Sequence, residues 1–351
     1  MLHALCPSKH VAFLESKMEK IMSILKKTFV AAALSLAFGG AQAALIDLDG
    51  LGGAHGAINA SVLDWTIGNS LVTPVRGNVT DPDFGDIYQT YAHARLATAN
   101  NGSGDPVDGL FGNSEWTYVT GFRETVFDVT GSAGTGSATF NTIAGGNNFF
   151  EIWYSNTAGT LSNNLTGRNF NDGVRILWGT VTPFDFNDPN KLGQTTFTAT
   201  TPVDAQGNLL TPDLDQNGID NYPAIDTITG QGGGRIGLQV VGWNSDFFLN
   251  MATGTIEMDF DTQLNLPFTK TDPSSCFWDG TQYVDGAGPV APANLAQCQV
   301  NTLGPINGLT GPNEALMTDA STRLDVPEPL SLALFGIGLA AMGATSRRRK
   351  A

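Results

Sequence analysis

Strand-like segments separated by turn residues are the feature that most limits the fold of this chain. Thr253–Gln263 reads TGTIEMDFDTQ, in which Ile256, Met258 and Phe260 alternate with polar residues. This period-two alternation is typical of an antiparallel strand with one buried face. Further segments rich in β-branched and aromatic residues are 61–67, 87–97, 116–130, 147–155, 173–182, 194–201, 235–243 and 315–324. Clusters of Gly, Asn, Asp and Pro separate these segments, as turns between strands require.

The series predicts an all-β protein whose body is an antiparallel β-sandwich or jelly-roll-like domain with long loops. Glycine supplies 42 of 351 residues, well above its usual share, which favours turns over helices. The body spans residues 44–325, which is long for one plain sandwich. Long excursions are therefore expected at 187–223 and 272–312, and Gly230–Gly234 (GQGGG) predicts a flexible turn.

The N-terminal residues 1–43 are predicted to be an export signal. The short positive segment Met22–Lys27 precedes the apolar run 28–38, which is too short to span a membrane. Ala41 and Ala43 form the A-x-A pattern after which a signal peptidase would cleave. The first 21 residues do not fit a signal peptide, so a misassigned start codon is an open alternative.

Cleavage after Ala43 would leave two cysteines, Cys276 and Cys298, in the exported protein. Cysteines in an oxidising compartment usually pair, so we expect a disulfide between them. Zinc is the weaker alternative because a structural zinc site takes four Cys or His ligands. The remaining histidines, His55 and His93, are distant in sequence.

The C-terminal residues 326–351 combine a short Pro-Glu-Pro segment, an apolar run and a basic end. The apolar run 330–344 predicts a short transmembrane helix, and the basic end is expected to stay cytoplasmic. An ordinary C-terminal anchor is one interpretation. The defining residues are Val326, Pro327, Glu328, Pro329, Arg347, Arg348 and Arg349.

The order of these three elements at the extreme C-terminus resembles the PEP-CTERM family. The resemblance implies that exosortase, a membrane transpeptidase-like enzyme, recognises the Pro-Glu-Pro segment and that the helix is then removed. It thus implies transient anchoring in the inner membrane, followed by delivery to the cell surface or extracellular matrix.

Parts of the body resemble the flocculation-associated branch of the same family. The similar segments are Phe170–Val181, Phe247–Asn250, Leu266–Pro273 and Gly308–Asp325. This resemblance implies a structural or adhesive role in bacterial aggregation with exopolysaccharide, and no known catalytic mechanism.

One loop matches the first half of an oxygen-rich calcium loop, D-x-D-x-N-G. Acidic or amide side chains at alternate positions can converge on one calcium ion, and Gly218 would make the turn. The predicted ligands are Asp213, Asp215, Asn217 and Asp220. Position twelve is Ala224, where a carboxylate is wanted, so an ordinary solvated Asn-Gly turn is the alternative.

Charge excludes some partners and favours others. Residues 44–326 hold nine Lys and Arg against 30 Asp and Glu, a formal charge of −21, whereas the whole chain carries −15. A protein this acidic is a poor general binder of nucleic acid and favours cations or neutral polymers.

Aromatic side chains could stack on the sugar rings of such a polymer. The candidates are Trp153, Tyr154, Trp178, Trp243, Phe277 and Trp278. Core packing is the favoured interpretation for Trp178 and Trp243, which end apolar strand runs. Trp278 follows a cysteine in a loop and is the better candidate for exposure.

We expect an exported, non-catalytic matrix protein that promotes aggregation through exopolysaccharide. The sequence contains no G-x-S-x-G elbow, although paired carboxylates leave a secreted polysaccharide-active enzyme open. A self-assembling surface coat is a third alternative.

Overall fold

The computed structural model describes residues 42–52, 57–79, 81–101, 114–132, 134–157, 161–188, 190–251, 254–261, 266–291, 298–299 and 312–326. Residues from Ala43 to Val326 belong to one unit. Ala41 of the predicted cleavage site, and the sorting residues from Pro327 onward, lie outside the described residues. The signal peptide and the C-terminal helix therefore stay predictions.

The described residues contain strands and no helix, which confirms the all-β prediction. The strands are β1 (Gln42–Asp47), β2 (Ala57–Trp65), β3 (Gly68–Arg76), β4 (Ile87–Asn101), β5 (Glu115–Thr130), β6 (Ser137–Ile143), β7 (Phe149–Ser155), β8 (Val174–Val181), β9 (Gln194–Ala199), β10 (Gly230–Trp243), β11 (Thr255–Asp261), β12 (Phe277–Trp278), β13 (Tyr283–Asp285), β14 (Gly288–Pro289), β15 (Glu314–Arg323) and β16 (Asp325–Val326). Within the ranges given above, no helix reaches the length and apolar character that a membrane crossing needs.

Thirteen strands form one large sheet, in the order β16-β1-β2-β4-β3-β15-β11-β10-β8-β7-β5-β6-β9. An antiparallel pairing of β4 with β5, from Ile87↔Thr125 to Arg95↔Thr117, joins two strands that are distant in this order. This pairing closes a ring of eight strands, β4-β3-β15-β11-β10-β8-β7-β5. A sandwich or jelly roll would have two sheets facing each other across the core. Here the strands on all sides of the core are hydrogen-bonded into one sheet.

The long strands change partners along their length, which gives the ring two distinct ends. β4 pairs with β3 over residues 87–93 and with β2 over residues 96–101. β10 pairs with β9 over residues 230–235 and with β8 over residues 238–243. β5 likewise changes from β7 to β6. At one end, which we call the β2 end, β2 stands between β4 and β15, and β7 and β8 stand between β5 and β10. At the other end, which we call the β3 end, β3 stands between β4 and β15, and β6 and β9 stand between β5 and β10.

A hydrophobic core fills the β2 end of the ring. Trp65, Tyr118 and Phe150 are at most 2% exposed and belong to its main cluster. The rings of Trp65 and Tyr118 meet edge to face, with centroids 4.9 Å apart. Trp65 Nε1 donates to Thr322 Oγ1 at 2.9 Å, so the polar atom of the indole is satisfied. Burying a side chain of this size stabilises the fold by roughly 3 kcal/mol.

A second hydrophobic cluster covers the outer face of β3, β4 and β15. Leu71, Tyr91 and Met317 point outward and pack with Phe268 and Phe277, which lie in the segment between β11 and β13. Strands covered on both faces lose the alternation of buried and exposed residues. β5 begins with eight consecutive buried residues for the same reason.

The Gly-rich stretch Gly230–Gly234 is not the flexible turn that its composition predicts. It forms the first part of β10 and pairs with β9, from Gly230↔Ala199 to Gly234↔Thr195. A Cβ atom at Gly232 would overlap the carbonyl oxygen of Thr196. Glycine is therefore used here so that two backbones can approach closely.

Both predicted excursions contain regular structure. The first includes β9, and the second includes β12, β13 and β14, which form a separate three-stranded sheet. A disulfide joins Cys276 to Cys298, and both residues are fully buried. The bridge encloses the small sheet in a covalent loop.

The two ends of the body lie on neighbouring strands. Ala43, after which the signal peptide would be cut, is in β1, and Val326 of the sorting tail is in β16. β16 pairs with β1 at one edge of the large sheet. Both ends of the body therefore lie at the same edge of the large sheet.

Candidate functional site

Four side chains from β7 and β8 form a polar and aromatic surface on the outside of the ring. They are Glu151, Trp153, Arg175 and Trp178, and together we call them the tryptophan face. In the antiparallel register Glu151 lies opposite Trp178, and Trp153 lies opposite Arg175. Neighbouring strands therefore place the two indoles diagonally across one surface.

Two register irregularities explain why these residues face outward. The β7–β8 register shifts between Ile152 and Trp153, and the β8–β10 register shifts between Val240 and Gly242. Ile176 and its neighbour Leu177 are consequently both 0% exposed in the main core. A bulge of this kind redirects the side chains on either side of it.

The polar atoms of the tryptophan face hold one another in place. Glu151 Oε1 accepts a hydrogen bond from Arg175 Nη1 at 2.6 Å, and Glu151 Oε2 accepts one from Trp153 Nε1 at 3.1 Å. The guanidinium carbon of Arg175 lies 4.7 Å from the ring centroid of Trp178. The Glu151 side chain is 9% exposed and that of Arg175 is 42% exposed. The buried carboxylate therefore orients an accessible cation and an indole.

Glycine under one indole brings the ring close to the sheet. A Cβ at Gly242 of β10 would overlap the six-membered ring of Trp178. Trp153 and Trp178 are both half-buried, and Val241, which precedes Gly242 in β10, is 60% exposed. The result is a rigid, partly apolar surface whose arginine retains further N–H donors.

The other aromatic candidates are placed differently from one another. Trp243 packs against the main core, as predicted. Trp178 was also predicted to be a core residue, but the bulge turns it outward, so that prediction is wrong. Tyr154 and Phe277 are buried. Trp278 is only half-buried, but it packs edge to face with Tyr283 at 5.6 Å between centroids, and its Nε1 is enclosed.

The predicted calcium loop is organised around Asp215, which is 5% exposed. Its Oδ1 accepts the backbone N–H of Asn217 at 3.3 Å, and its Oδ2 accepts that of Asn221 at 2.9 Å. Burial raises the pKa of Asp215, and the nearby Asp272 and Asp220 raise it further. Over the described ranges, no group of three or more His, Cys, Asp or Glu is arranged to hold a metal. Calcium binding stays a prediction.

Asp272 contacts this loop from a distant part of the chain, and the sequence did not indicate this contact. Its Oδ1 accepts the backbone N–H of Ile219 at 3.2 Å, although the two residues are 53 positions apart. A Cβ at Gly218, where φ is +61°, would lie 2.6 Å from the same oxygen. The turn at Gly218 therefore depends on a distant carboxylate, which local spacing does not reveal.

The buried His93 lies against two aromatic rings and a serine hydroxyl. It is 1% exposed and stacks between Phe170 and Phe277, with ring centroids at 4.0 and 4.7 Å. Ser274 Oγ donates to the carbonyl of Asn164, so it accepts from His93 Nε2 at 2.9 Å. Burial lowers the pKa of His93 to about 3. The neutral ring therefore donates a hydrogen bond from Nε2 to Ser274 Oγ.

Comparison with known proteins identifies the C-terminal segment as a sorting motif. The family model described as PEP-CTERM protein-sorting motif matches residues 325–350. No curated protein and no solved structure matches the chain. The chain therefore carries the sorting motif of PEP-CTERM proteins, which implies an exported protein that is anchored transiently in the membrane and processed by exosortase.

Proposed function

We propose that the body is a non-catalytic matrix protein that promotes bacterial aggregation by binding exopolysaccharide. The tryptophan face is the observation that carries this proposal. Sorting by exosortase delivers the body to the cell surface, where a neutral polymer is an accessible partner. The similarity of parts of the body to the flocculation-associated branch supports the same role.

The chemistry of the tryptophan face suits a chain of sugar rings. An indole presents a rigid apolar surface at low cost in conformational entropy, and its faces pack against the C–H groups of a pyranose. Glu151 holds Arg175 in place, and the exposed guanidinium keeps N–H donors that sugar hydroxyls can accept. Trp and Arg are also the residues that dominate the energetics of most protein interfaces.

The negative charge of the body favours a neutral polymer as its partner. A body with a formal charge of −21 repels anionic polymers unless divalent cations lie between them. Aggregation further requires that each cell makes several contacts with the polymer, because weak single contacts become strong only through multivalency. Many copies on one cell surface would supply them.

The test is binding of the mature protein to matrix polysaccharide, measured by co-sedimentation. A double variant, Trp153→Ala with Trp178→Ala, is expected to weaken retention roughly tenfold or more. Phe84→Ala is the matched control, because Phe84 is 78% exposed in a turn away from the tryptophan face. Equal retention by the double variant and the control would contradict the proposal.

The same mixtures distinguish binding from catalysis. Polysaccharide chain length is expected to stay constant, and release of new reducing ends that one carboxylate variant abolishes would instead favour the enzyme. Deletion and complementation of the gene test the role in bacterial aggregation. Flocculation is expected to fall on deletion, to recover with the unaltered gene, and not to recover with the double variant.

A further inference from the structure

The interior of the ring is not fully packed at its β3 end. A cavity of about 100 Å³ lies there, lined by residues of β3, β4, β5, β6, β9, β10, β11 and β15. We call it the inner chamber. Its walls include five aromatic rings, those of Tyr88, Phe122, Phe140, Phe197 and Phe260. A space of this size holds several waters or a small organic molecule.

A second cavity of about 170 Å³, the outer chamber, adjoins the first. The two share Val79, Phe140, Phe197 and Glu314 as lining residues. The outer chamber is also lined by the exposed Asp81 and by residues of the β5–β6 turn. The shared residues place the two chambers side by side at the β3 end, with the outer chamber next to exposed residues.

One carboxyl group in the chambers has an atom without a partner. Glu314 is 6% exposed, and its Oε1 is buried with no hydrogen-bond partner within the described structure. Burial raises the pKa of Glu314 to about 8. A buried unsatisfied oxygen is expensive, so a native protein usually supplies a partner for it.

The second carboxyl group of the inner chamber is already satisfied. Glu124 is 7% exposed and accepts hydrogen bonds from Thr90 Oγ1 at 2.9 Å and from Thr195 Oγ1 at 2.8 Å. Among the described lining residues of both chambers there is no Lys, Arg or His. The chambers thus combine aromatic walls and acidic groups with no internal counter-ion.

We propose that the two chambers bind a small organic cation, a primary alkylammonium, whose N–H groups donate to Glu314. The carboxylate supplies the countercharge, and the aromatic rings stabilise the cation through their π faces. The alkyl chain lies along the apolar walls toward the outer chamber. An anionic ligand would meet Glu124 and Glu314 in a space of low polarity, and a neutral alkane would leave Oε1 unpaired.

A bound cation offsets the cost of burying Glu314 in the ring. The titratable groups that face Glu314 across the chambers are Tyr88, Glu124, Asp81 and Asp83, and none of them is cationic. An empty chamber holds Glu314 protonated at neutral pH. Binding of the ammonium displaces that proton to solvent, since the carboxylate form pairs with the cation.

The test is isothermal titration of the full-length protein with n-butylammonium chloride at pH 7, repeated in two buffers of different ionisation enthalpy. We expect one binding site, release of close to one proton, and much weaker binding of n-butanol, which has the same shape without the charge. Equal binding of n-butanol, or absence of n-butylammonium binding, would overturn the proposal.

Two variants locate the site. Glu314→Gln keeps the shape of the protonated side chain and is expected to weaken n-butylammonium binding roughly 10- to 100-fold. Phe197→Leu, which removes an aromatic wall, should weaken it to a smaller extent. Glu115→Gln is the matched control, because Glu115 is 2% exposed and lies outside both chambers. Unchanged binding by Glu314→Gln would refute the assignment.

Discussion

Replacing Glu314 by Gln should change how the stability of the protein depends on pH. Glu314 is buried in the ring, and its pKa is raised by burial from 4.5 to about 8. The folded state therefore holds a proton that the unfolded chain releases at a lower pH. The contribution of this proton to stability is fully present below pH 4.5 and is lost as the pH rises through 8.

The size of the effect follows from the shift. Each pKa unit corresponds to about 1.4 kcal/mol, so the free energy of unfolding should fall by roughly 5 kcal/mol between pH 4.5 and 8 from this residue alone. Gln cannot ionise and has the shape of the protonated acid, so the variant loses this slope.

Urea unfolding monitored by tryptophan fluorescence at pH 5, 7 and 9, without added amine, measures the difference. At pH 5 the wild type and Glu314→Gln should have similar midpoints, and at pH 9 the variant should be the more stable. Burial also raises the pKa values of Asp64, Glu115, Glu124 and Asp215, so the wild-type slope has further contributors that both proteins share. Parallel stability curves for the two proteins would refute the reasoning.

Two further predictions concern the outer surface. Gly242→Ala should destabilise the fold by about 1–3 kcal/mol, because the new methyl group overlaps the indole of Trp178, and thermal unfolding measures the loss. Millimolar calcium should raise the melting temperature of the mature protein and give heat on titration, and Asp213→Asn should weaken both effects. Absence of heat and of thermal stabilisation would remove the calcium prediction.

Most strands could be predicted from local patterns. The segment 253–263 alternates in sequence and forms β11 over Thr255–Asp261, and the segment 116–130 forms nearly the whole of β5. Alternation is a property of neighbouring residues, so the chain itself carries it. Pattern reasoning failed at Gly230–Gly234, where glycine serves close strand packing, because that requirement comes from β9 and not from β10.

The candidate sites were less accessible to sequence reasoning. Trp178 ends an apolar run and reads as a core residue, yet a bulge between β7, β8 and β10 turns it outward. Glu314 directly precedes the predicted strand segment 315–324, and nothing near it in sequence indicates a cavity. Both outcomes depend on which strands become neighbours.

The sequence by itself determined the route of this protein and the type of its secondary structure. The sorting motif at residues 325–350 is a linear signal that a processing enzyme reads, and strand alternation is set by adjacent side chains. Only the tertiary structure decided that β4 pairs with β5, and that β15 returns from the end of the chain to pair with β3. Register between distant strands is fixed by the burial of both faces at once. Closure of the ring, its cavity and the tryptophan face therefore follow from contacts that local sequence does not contain.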